Sequence, residues 1–197
     1  NFEFVYSSLI KTVSSRKDSV PEGMIIPKEV RYITFTRLKE DVKQEIINSL
    51  FIKDISPSVD RILFDDLSEH YFDGSMVPDE WYCKGDMMTR LQKRSGHESI
   101  FIQIAHVINA AQPDSLIVLD SVTEIATQCN TPSLWNNLTG FFHGLQRVAK
   151  QKNCTMYLLL SRGILDSSKE RELADIADAV LLFKWEENPG ARRQRVM

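Results

Sequence analysis

The chain has 197 residues, 43% of them hydrophobic, which is enough to bury one sizeable core and too little for a second full domain. Its 24 Lys and Arg against 27 Asp and Glu leave a formal charge of −3, which excludes a global electrostatic footprint for nucleic acid and leaves only a local basic patch as a route to one. No apolar run approaches the ~20 residues of a membrane span and no signal-peptide pattern opens the sequence. Cys83, Cys129 and Cys154 form no C-x-x-C pair and read as reduced thiols, so a cytoplasmic protein is expected.

In chain order, Ser14 to Lys28 mixes Ser, Pro and Gly with both signs of charge and reads as a surface connection. Val30 to Thr36, Val-Arg-Tyr-Ile-Thr-Phe-Thr, is rich in β-branched and aromatic residues and predicts a strand. Leu38, Val42, Ile46, Leu50 and Phe51 then recur at a helical period. Glu40 and Asp41 open that helix, where carboxylates favour the N-terminal dipole. Arg61 to Asp66 is a second strand; its closing Asp65 and Asp66 suit either the approach to a metal or a solvated turn. Leu67 to Gly96 is an insertion-like loop whose Tyr71, Phe72, Trp81, Tyr82, Met87 and Met88 suit a protein-recognition surface or packing of the loop onto its own domain.

Ile100, Phe101, Ile104, Ala105, Ile108 and Ala111 predict a further helix, and the stretch after it is the most informative in the chain. Ser115-Leu-Ile-Val-Leu-Asp-Ser121 places four large apolar residues in a row and then a carboxylate and a hydroxyl. A run apolar on both faces is what a central parallel strand needs. Asp120 then lies at its carboxyl end, where open α/β sheets bind ligands, although capping the next helix asks for the same residue. A helical stripe runs from Leu134 to Ala149, and Thr155 to Ser161 and Ala179 to Lys184 complete five expected strands. The turn signal Asn188-Pro-Gly190 precedes Arg192, Arg193 and Arg195 on an expected C-terminal hairpin strand. His70, His97, His106 and His143 show no metal-ligand spacing, and His106 and His143 fall within helical stripes as structural residues. No nucleophile elbow or Ser-His-Asp arrangement appears. Strands alternating with helices give an α/β class, doubly wound around a mostly parallel sheet with helices on both faces.

Five of these pieces, in this order, resemble the RecA superfamily of ATPases, and within it the KaiC-like branch. They are Tyr32-Ile-Thr-Phe-Thr-Arg37 with its following helix, Ile62-Leu-Phe-Asp65, Gln112-Pro-Asp114 leading into Leu116 to Ser121 as a Walker B strand, Thr155 to Ser161 as a nucleotide-sensing strand, and Glu172 to Leu182. The resemblance covers Tyr32 to Met197 and implies a single RecA-like core domain over residues 1–197, with both ends of the family's domain beyond the sequence. It implies ATP and Mg²⁺ as cofactors, with Asp120 as the metal ligand, Ser121 adjoining it and Ser161 positioned to sense the γ-phosphate. It further implies a homo-oligomer in which Arg195, with Arg192 and Arg193, reaches a neighbouring subunit's nucleotide; as a bare cluster, the same arginines make a solvated face or an anion patch.

The sequence departs from the family twice. No G-x-x-x-x-G-K-[ST] loop is present, and Phe2 to Val13 has the place of the helix that follows such a loop. Where the family puts acidic residues to activate water, this chain reads Phe35-Thr36-Arg37-Leu38. Arg37 thus marks weak or absent hydrolysis, and the catalytic residues are left unassigned. The leading expectation is a nucleotide-binding, oligomer-forming regulatory ATPase-like protein. The alternative is a non-catalytic RecA-fold assembly subunit that binds protein or nucleic acid; a receiver-like or flavodoxin-like domain suits the strand count but not the order after Ser161.

Overall fold

The structure, a computed structural model, describes residues 2–15, 26–50, 52, 54–82, 99–187 and 193–196. Four parallel strands form its sheet: β1 (Glu29–Thr34), β2 (Leu63–Asp66), β3 (Ser115–Asp120) and β4 (Thr155–Leu158), in the order β2-β1-β3-β4. All six residues of β3 are buried, because both faces of this central strand are covered.

One face carries Val30, Tyr32, Leu116 and Val118 against α1 (Phe2–Ser14), α2 (Lys39–Ser49) and α3 (Ser56–Val59). The other carries Ile33, Phe35, Ile117 and Leu119. These pack on a helix pair, α4 (Ser68–Phe72) and α5 (Asp79–Tyr82) lying between β2 and that pair in sequence: α6 (Ile100–Ala110), through Ile104 and Ile108, and α8 (Pro132–Lys152), through Leu138, Phe142 and Leu145. The short α7 (Val122–Gln128) and Ile176 of α9 (Ser167–Ile176) join the same cluster. The protein is therefore a three-layer α/β structure with an all-parallel sheet.

Local chemistry fixes the long helix. Thr131 caps α8 by accepting from the Leu134 amide, Pro132 follows, and Asn153 ends the helix in a left-handed conformation (φ 54°). Lys152 then donates to the carbonyl oxygens of Ile108, Asn109 and Ala111, satisfying the last turn of α6.

Several expected boundaries shift. The predicted strand Ala179–Lys184 is not one: residues 179–183 have no regular structure, and Val180, Leu181 and Leu182 are exposed. An apolar run becomes a strand only where a partner meets its backbone, and β4 ends at Leu158, before the Leu-Leu-Ser161 tail that was expected to continue it. Regular structure resumes as β5 (Lys184–Glu187), which pairs antiparallel with β6 (Arg193–Val196) in a separate two-stranded sheet. His106 and His143 are exposed rather than packed within their helices. The connection Ser14 to Lys28 and the loop from Leu67 are described only in part, and Arg192 and residues 83–98 lie outside the described residues.

Candidate functional site

The chain path singles out one place on the sheet. From β1 the connection through α2 runs outward to β2, whereas from β3 the connection through α7 and α8 runs the opposite way to β4. Between the carboxyl ends of two such adjacent strands a doubly wound sheet opens its ligand crevice. Here those ends are Thr34 and Asp120, which lie opposite each other in register.

Strand alternation places Tyr32, Thr34 and Asp120 on the face covered by α1 and α2. The Thr34 hydroxyl is buried; it donates to the Arg37 carbonyl (3.0 Å) and accepts from the Arg37 amide (3.3 Å), folding the loop after β1 back on itself. Arg37 thereby returns over the crevice. Its Nη1 donates to Asp120 Oδ2 (3.3 Å) and to the Tyr6 hydroxyl (3.4 Å), while Nη2 pairs with Glu45 Oε2. The Tyr32 hydroxyl donates to the same Asp120 Oδ2 at 2.6 Å. Tyr6 comes from the second turn of α1, whose far end meets α3 through a Ser14–Ser58 hydroxyl contact (2.9 Å); the N-terminal turns of α1 thus lie at the carboxyl edge of the sheet.

The electrostatics follow from burial. Asp120 is only 3% exposed, and desolvation pushes its carboxyl above the usual range despite the opposing Tyr32 hydrogen bond and Arg37 charge. Burial and the adjacent carboxylate hold the Tyr32 phenol far above its ordinary value, so it stays a donor. Tyr6 is raised by burial. Burial alone would weaken the Arg37 charge, but the Tyr6 hydrogen bond and surrounding groups outweigh it and raise its pKa.

The other residues expected at the site divide. Ser121 adjoins Asp120 through a cis peptide bond, is nearly buried and donates its hydroxyl to Glu124 Oε2. Ser161 is exposed, and its amide donates to the Thr123 hydroxyl at 2.8 Å, tying the loop after β4 to α7. Asp120, Ser121 and Ser161 thus gather around the start of α7. Arg195 is elsewhere in the topology, on β6 opposite Trp185. Asp65 pairs with Arg31, and Asp66 accepts from the Ser68 amide, so both take the structural alternative. Glu40 and Asp41 sit in the first turn of α2.

The sequence reading overlooked Tyr6, Tyr32, Thr34 and Glu45. Tyr32 and Thr34 did carry a signal: polar atoms at alternate positions of a strand whose register partner ends in Asp120. Tyr6 and Glu45 carried none, being ordinary helix residues until the layers close.

The arrangement also bears on the metal expected at Asp120. Its oxygen accepts from one cation and one hydroxyl already, and among the described residues no group of three or more His, Cys, Asp or Glu is placed to hold an ion. These residues, as arranged, do not fit a resident Mg²⁺, which is held by carboxylate and phosphate oxygens rather than beside a guanidinium. Among the described residues no helix is long and apolar enough to cross a membrane. No family model matches the chain, and no curated protein matches it.

Proposed function

We propose that this chain is a RecA-type, KaiC-like nucleotide-binding domain with weak or absent ATP hydrolysis, acting as a regulatory, self-assembling ATPase-like protein. The observation that carries this reading is the buried Asp120 at the switch point of the sheet, with the partly exposed Arg37 guanidinium held beside it. A guanidinium at such a crevice suits phosphate oxygens, which it can meet with paired donors. Asp120 and Glu45 act on the nucleotide through Arg37 and are positioning residues. Ser121 and Ser161 line the same end of the sheet as lesser contacts.

No carboxylate on the loop Phe35-Thr36-Arg37 is available to activate water, so turnover is slow. ATP should raise the melting temperature, because a ligand that binds only the native state stabilises it by mass action, and Asp120→Ala should remove most of that gain. An unchanged melting temperature at millimolar ATP, with or without Mg²⁺, would sink the reading. So would phosphate release at an ordinary enzymatic rate of ~1 s⁻¹ or faster.

A second reading is favoured by the neutralisation of Asp120 by Arg37: a non-catalytic RecA-fold subunit that keeps the sheet for assembly and binds protein or nucleic acid. Both readings include head-to-tail self-association, with Arg193 and Arg195 of β6 as the basic strand offered to a neighbour and the loop from Leu67 as a route to a protein partner. Light scattering that shows a concentration-dependent oligomer, enhanced by ATP and weakened by changing both arginines to Ala, supports the first; an oligomer indifferent to ATP supports the second.

A further inference from the structure

β4 pairs with β3 on one side, and among the described residues its other side carries no strand. The segment that follows α9 has both of its ends near that open side. At its start, Asp178 pairs with Lys150 (3.2 Å) and accepts from Gln146 (2.9 Å); Lys150 lies in the last turn of α8, the helix that leads directly into β4. At its end, the Phe183 ring lies 5.4 Å from that of Phe4 in α1, and the Phe4 ring lies 6.4 Å from that of Tyr157 in β4. The residues between have no regular structure, and Val180, Leu181 and Leu182 are 49%, 55% and 55% exposed. Three large apolar side chains in a row are thus left in water beside an unpaired edge.

The chain path sets the direction of the segment. From β4 the chain crosses back in α9, which packs on the same face as α8 and meets it where the Trp135 indole donates to Glu172 (2.7 Å). It returns at Asp178, beside the end of the helix from which β4 begins. This repeats the β3–α8–β4 crossover, so Ala179 to Phe183 runs in the same sense as β4. We propose that Ala179 to Phe183 is a strap that closes onto the open edge of β4 as a fifth, parallel strand. Closure orders few residues, because both ends already lie at the neighbouring helices, and it takes three apolar side chains out of water. It also covers an edge that would otherwise template pairing with another chain. Because β5 begins at Lys184, directly after the strap, closure fixes the place from which the β5–β6 hairpin is offered. The inference is independent of what the Arg37 crevice binds.

Hydrogen exchange of the backbone amides, resolved residue by residue by NMR on the full chain without ligand, tests it. A strap that stays open leaves the amides of Val180, Leu181 and Leu182 at the exchange rates of an unstructured peptide. Closure slows at least one of them, together with the β4 amides that face away from β3, by ~tenfold or more. Of two successive amides in a strand one faces the neighbouring strand, so Val180→Pro/Leu181→Pro breaks the pairing in either register. That variant should return Leu182 and the outer β4 amides to unprotected rates while Leu116 to Leu119 of β3 stay protected. Val180→Gly/Leu181→Gly takes its place if the proline variant gives no cooperative melt, and the wild-type rates decide by themselves if neither does. Wild-type rates at 180–182 within about twofold of an unstructured peptide would overturn the inference, as would outer β4 protection that survives in a folded variant.

Discussion

Two arginines on neighbouring parts of the same strand and loop solve the same problem in different places. Arg31, within β1, is shared between Glu29 (2.9 Å) and Asp65 on β2 (2.9 Å). Arg37, just beyond β1, is shared between Asp120 and Glu45. Both are one cation between two carboxylates, but their settings differ. The Arg31 group clamps β1 to the edge strand β2, and Asp65 keeps 24% of its side-chain surface in water. The Arg37 group stands where the sheet reverses its direction of winding, and its Asp120 side chain is 3% exposed. The same chemistry thus clamps two strands at one position and stands beside a strand-end carboxylate at the other, and what distinguishes them is chain topology and the depth of Asp120 itself, since Glu29 (10% exposed) is otherwise more buried than Glu45 (38%).

Breaking each group separates the two roles. Arg37→Ala leaves a deeply buried carboxylate without its cation and should cost roughly 3 kcal/mol in urea unfolding, at the low end for a broken buried pair because Tyr32 still donates. Arg31→Ala leaves Glu29, 10% exposed, and Asp65, 24% exposed, without their shared cation, and because neither is as deep as Asp120 it should cost less, roughly 2 kcal/mol. Equal costs would show that burial does not divide the two groups. Tyr32→Phe removes the hydrogen bond to Asp120 together with the hydroxyl's interaction with Tyr6; we expect a loss of about 1–2 kcal/mol, and no loss would mean that Arg37 alone satisfies the carboxylate.

A smaller effect appears with pH. Because burial raises the native pKa of Asp120 above its unfolded value of ~3.9, the folded protein takes up that proton first. Its contribution therefore becomes more favourable as pH falls through the raised native value towards the unfolded one. Asp114 behaves oppositely: Lys28 and Asn153 hold its carboxyl below the usual range, so its stabilisation is present above the unfolded value and lost as pH falls. Stability measured from neutral pH to about 4 should thus decline more steeply in Asp120→Asn than in wild type, whereas Asp114→Asn should decline less steeply only once pH falls below about 4. Parallel curves would contradict the sign assigned to Asp120.

The sheet was largely legible because its strands announce themselves. Leu116 to Leu119 is apolar throughout, and a strand covered on both faces leaves few other options. Ala179 to Phe183 looks alike as a sequence and yet has no regular structure, since composition records the wish to be buried but not the presence of a pairing edge. Asp120 was legible for its place at a strand end. The partners that define its chemistry were not: Tyr6 lies 114 positions away in the chain and Glu45 lies 75 away, and only closure of α1 and α2 over the sheet brings them to it. Arg37 was visible in the sequence as a missing catalytic carboxylate, whereas in the fold it is the counter-charge of Asp120.

The central claim is that the Arg37–Asp120 crevice, and not the equivalent chemistry at Arg31, receives the phosphates of a nucleotide. Equilibrium dialysis with radiolabelled ATP in the presence of EDTA tests it most directly. The account predicts saturable binding by the wild-type chain and by Arg31→Ala, weakened at least tenfold in Arg37→Ala, the equivalent of about 1.4 kcal/mol or more. Absence of saturable binding by the wild-type chain at millimolar ATP, or equal binding by both arginine variants, would contradict it.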